Sequence, residues 1–126
     1  MDLNAFANVF LAGGFTILRV EISVEPLVDA LGREAIARTR ITQNNFEITV
    51  RAGLIDDELS VTLYHEVLEA ASVASVRPPA SVMDFNEGDF EAGAYAAHNE
   101  LGAASPENLN RMLRSYGFPR IVGNND

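Results

Sequence analysis

The chain of 126 residues carries 18 acidic and 9 basic side chains, a net charge of −9, and no cysteine. That length suits one domain whose core needs no covalent or metal staple to fold. The acidity argues against nucleic acid and anionic membranes as partners, because a phosphate-binding face needs a positive field; the missing thiols exclude disulfides, thiolate metal sites and cysteine nucleophiles.

In chain order, residues 3–12 predict a short helix broken by Gly13-Gly14, which lack the lysine and spacing of a phosphate loop. Phe15 to Ile22 alternates apolar and polar residues and is rich in β-branched side chains, the pattern of a strand. Pro26 suits the first turn of a short helix ending near Gly32. From Ala35 the period returns to two. Ile36, Thr39 and Ile41 precede Gln43-Asn44-Asn45, and Phe46, Ile48 and Val50 then alternate with Glu47, Thr49 and Arg51, so a β-hairpin is expected. The basic residues from Arg33 to Arg40 read as strand surface.

Asp56 or Asp57 can cap the next helix, expected from about Asp57 to Ala74, in which Leu59, Leu63, Val67, Ala70 and Ala74 form a core-facing stripe. Arg77-Pro78-Pro79 ends it. Ser81 to Glu87 reads as a loop, Asp89 to Leu101 as a helix stopped by Gly102, and Ser105-Pro106-Glu107 as the start of a last helix that Gly117 closes. The tail from Pro119 is expected to be loose. The fold class that follows is α+β: one domain over 1–126, with a hairpin-based antiparallel sheet packed on a helix and further helices after it. The apolar run Ala5 to Phe15 lacks a basic leader and is too short to span a bilayer, and with the absence of thiols this makes the cytoplasm the expected location.

The run TLYHEVLEAA, Thr62 to Ala71, holds the chemistry. Residues four apart lie on one helix face, so His65 and Glu69 can address one ion while Glu66 sits beside them. In a zinc-peptidase helix of HExxH type, two side chains one turn apart bind zinc and the intervening glutamate serves as general base. The stretch from Phe46 to Glu66 resembles the strand, connection and active-site helix of minimal zincin-like metalloproteases, a likeness covering 21 of the 126 residues. The resemblance implies a zinc ion, hydrolysis of a peptide bond in a protein or peptide substrate, and Glu66 as the base. It also implies that Phe46, Ile48 and Val50 lie on an edge strand able to pair with an extended peptide. Glu69 departs from the family, which has histidine there; a carboxylate can ligate zinc, but it leaves water on the ion a weaker acid.

A third ligand must come from elsewhere. His98 is the only other histidine, and it shares a helical face with Glu91 and Tyr95. The expected set is therefore His65, Glu69 and His98, with Glu91 as the rival third ligand and Tyr95 placed to donate to an oxyanion. Asp84, Glu87, Asp89 and Glu91 do not follow the calcium-loop spacing and read as a solvated loop and helix start. The competing function is a non-catalytic zincin-like domain, an acidic module that binds or regulates another protein through its hairpin edge.

Overall fold

The computed structural model describes residues 1–120. Of the expected loose tail, residues 121–126 lie outside that range. The fold is α+β. After a 3₁₀ turn at Leu3–Phe6 come strands β1 (Val9–Leu11), β2 (Phe15–Ser23), β3 (Leu27–Val28), β4 (Glu34–Ala35), β5 (Ala37–Thr42) and β6 (Asn45–Arg51). Helices α1 (Asp56–Ala74), α2 (Glu87–Leu101) and α3 (Pro106–Ser115) follow.

The main sheet has the order β1-β2-β6-β5 and is mixed: β2 and β6 run parallel, the other neighbours antiparallel. Asn45 pairs with Thr42 across a tight turn in which Gln43 has φ 56°, so the predicted hairpin forms, with glutamine taking the left-handed position. The strand carrying Phe46, Ile48 and Val50 was expected at the edge and is instead internal. β2 occupies its second hydrogen-bonding side, and these three side chains, 0–1% exposed, lie in the core. The open strand next to the helices is β5.

Two further expectations are corrected. Residues 3–12 form the 3₁₀ turn and β1 in place of a helix. The segment after Pro26 forms the small β3–β4 hairpin: the Asp29 carboxylate accepts from the N–H groups of Leu31 and Arg33, and Gly32 turns at φ 79°. That Asx turn uses the same residues a short helix would, and satisfies their donors locally.

Helix α1 starts with Asp56, Asp57 and Glu58 in its first turn, where the helix dipole favours acids, and Glu58 accepts from the N–H of Ile55. Its Leu63, Tyr64, Val67 and Leu68, all 0% exposed, belong to one core with Ile17, Phe46, Ile48, Leu109 and Leu113. The opposite sheet face presents Arg19, Glu21, Arg38 and Arg40 to solvent. Against β1, the Asn110 side chain of α3 accepts from Ala12 N–H at 2.7 Å and donates to the Phe10 carbonyl at 3.0 Å. Among the described residues no helix is long and apolar enough to cross a membrane.

Candidate metal centre

His65 is 7% exposed, because the helix around it is buried on several sides and α2 closes the remaining one. Its Nδ1 lies 2.6 Å from Glu91 Oε2. Its Nε2 lies 2.7 Å from Glu87 Oε1 and 3.6 Å from Glu69 Oε2, yet makes no hydrogen bond of acceptable direction. A buried ring nitrogen left without a bond is costly in a folded protein, and here it points into a group of carboxylates. His65, Glu69 and Glu87 each offer a ligand atom, all within 4.8 Å of one another.

The distances bear on what fits. A tetrahedral ion with bonds of about 2.1 Å separates its ligand atoms by roughly 3.4 Å. Glu69 at 3.6 Å from Nε2 already meets that; Glu87 at 2.7 Å would have to withdraw by about 0.7 Å. Its side chain is 75% exposed on the first residue of α2, so that adjustment is open to it.

Charge explains the cluster without an ion. Burial by itself would push the His65 imidazole down, but the nearby carboxylates of Glu69 and Glu91, helped by the charges of Glu66 and Glu87, lift it to about 9. The His65 partner lowers Glu69, whereas a carboxyl–carboxylate hydrogen bond to Glu69 raises Glu87. The protonated ring thus does part of what a cation would do. Glu66, half-buried on the same turn, is raised by burial against the opposing effect of Thr39, whose hydroxyl donates to Oε1 at 2.9 Å.

His98 does not join this group. Its Nδ1 is bonded at 2.8 Å to Ser60 Oγ, which also accepts from Ala104 N–H. Ser60 stands five residues before His65, roughly 7.5 Å away along the helix axis, and α2 runs antiparallel to α1, so His98 faces the wrong turn. Tyr95 is 53% exposed and does not line the cleft. Glu91 reaches the cluster, but on the Nδ1 side of His65.

Glu87 is the residue that sequence reasoning missed. Asn86 caps α2 through Asp89 N–H while Asp89 accepts from Asn86 N–H, so the helix begins at Glu87, two residues earlier than expected. Glu87 and Glu91 then share one face, one turn apart, opposite His65 and Glu69. The Asn-x-x-Asp box in the sequence was the available signal.

These groups line a cleft of about 1100 Å³ between α1 and α2 on one side and β5 with the β3–β4 hairpin on the other. No protein-family model matches the chain, and no curated protein or solved structure is significantly similar to it.

Proposed function

We propose that this protein is a zinc-dependent hydrolase acting on peptide bonds, with His65 Nε2, Glu69 and Glu87 as protein ligands and Glu66 as general base. The observation that carries the reading is the buried His65 Nε2, unbonded and aimed at two carboxylates that also converge with each other. A lone acidic cluster would not suffice; an orphaned imidazole nitrogen inside one is the donor a borderline-soft ion such as zinc prefers.

A divalent ion held there supplies Lewis acidity, polarising a carbonyl and acidifying water. The chain's own residues supply the rest. Glu91 accepts from His65 Nδ1–H, which fixes the tautomer and leaves Nε2 with its lone pair toward Glu69 and Glu87. Thr39 fixes one oxygen of Glu66, leaving the other free to take the proton of an attacking water. Burial makes that carboxylate a stronger base than one in solution, which suits the task. Neither His98 nor Tyr95 has a part in this reading.

Elemental analysis of tag-free protein, beside His65→Ala and Glu87→Gln variants, tests it. About one zinc per chain is expected in the wild type, with loss in His65→Ala and weakened retention in Glu87→Gln. Wild-type protein that takes up no zinc from excess ion would overturn the reading and favour the acidic binding module.

A further inference from the structure

The cleft holds more negative charge than one divalent ion can cancel. Its lining includes the acidic residues Asp29, Glu34, Glu66, Glu69, Glu87 and Glu91, against the basic residues Arg33 and Arg38, of which Arg38 turns its side chain to the opposite sheet face. Even with both arginines counted, six against two leaves four negative charges in excess with His65 neutral, and a bound divalent ion removes only half of them. Arg33 is moreover spent on its own hairpin, its Nε 3.0 Å from Asp29. The surplus is spread over both walls, since Glu34 lies on β4 while the other uncommitted acids lie on α1 and α2. A low-dielectric cleft lined by one sign of charge concentrates the opposite sign from solution.

The shape of the cleft says what form that opposite charge takes. Ala37, Arg38 and Thr39 of β5 border it, and among the described residues β5 is the outermost strand of the sheet, with β6 on one side and no strand on the other. An outer strand offers unpaired backbone groups to an extended chain. The unbonded His65 Nε2 belongs to a residue lining this same cleft, which separates it from a merely acidic surface.

Resting on the metal reading above, we infer that the cleft takes extended peptides bearing lysine or arginine next to the reacting bond. A cationic side chain lies between the Glu34 wall and the helix wall, where two negative charges remain after the ion is bound. An acidic peptide meets the same excess as repulsion.

The test is fluorescence anisotropy on zinc-loaded full-length protein with two short labelled peptides, identical except for a central Lys-Lys or Glu-Glu pair, with zinc content measured in every sample. At low salt the lysine peptide binds about tenfold or more tightly than its glutamate twin. The preference shrinks as salt shortens the Debye length to about 3 Å near 1 M. Glu34→Gln, which touches neither ligand nor base, lowers the preference about two- to threefold without changing zinc content. Equal affinities, or a preference for glutamate, in zinc-loaded protein would overturn the inference. Displacement of the lysine peptide by an equal concentration of a free polyamine would overturn its peptide part. A lysine preference in samples that hold no zinc would sink the metal reading alone.

Discussion

His65 faces three carboxylates at once, Glu91 at Nδ1 and Glu69 with Glu87 at Nε2, and the roles of the surrounding acids follow from which nitrogen they face. Glu91 faces Nδ1 and acts through the ring, so Glu91→Gln is expected to weaken zinc binding about 10- to 100-fold while keeping the stoichiometry. A competition titration against a chelator reads this directly, and an unchanged affinity would remove Glu91 from the site. Glu66 faces Thr39 and the cleft. Glu66→Gln keeps the size and the hydrogen bond, so it should retain zinc yet lower peptide hydrolysis by about 10²- to 10⁴-fold. Full activity in that variant would dismiss Glu66 as the base.

Between α1 and α2 the structure separates two polar contacts that look alike in sequence. Near the start of α1, Ser60, His98 and Ala104 form a hydrogen-bonded knot that ties the end of α2 to the first helix. Further along, His65 and Glu91 meet. Ser60→Ala leaves a buried N–H and a ring nitrogen unsatisfied, a cost of about 1–3 kcal/mol, with no effect on zinc content. Thermal denaturation beside elemental analysis checks both halves; zinc loss in a variant that stays folded would restore His98 as a ligand. The helices themselves were readable from their caps and apolar stripes, because those signals are local. The place of β6 was not. Alternation of Phe46, Ile48 and Val50 marks a strand with one buried face, but whether its margin is free depends on β2, some thirty residues earlier, pairing with it in parallel. Helix periodicity likewise put His65, Glu66 and Glu69 on one turn, whereas the axial offset that removes His98 and admits Glu87 is set by how α2 docks.

For the molecule as a whole, the buried cluster makes stability depend on pH in a direction set by occupancy. Without metal, the folded-state pKa of His65, about 9, exceeds the usual 6.5, so its contribution is fully present below pH 6.5 and is lost as pH rises through 9. Chelator-treated protein should therefore lose melting temperature between about pH 7 and 9.5, and His65→Gln should flatten that fall. On the proposed zinc reading the sign reverses: binding would require the neutral ring, so affinity is expected to rise with pH over the same window. A metal-free melting temperature that climbs toward pH 9 would contradict the protonated cluster.

The amide of Asn110 has a consequence for the company the protein keeps. By accepting from Ala12 and donating to Phe10, it stands where another strand would begin, so the sheet is sealed at β1 and can lengthen only past β5. Growth is thereby polarised. A strand added to the sheet would have its place past β5, and a continuous ribbon of copies joined margin to margin is disfavoured. Asn110→Leu would unseal the second margin, and light scattering should then show concentration-dependent association that the native chain resists.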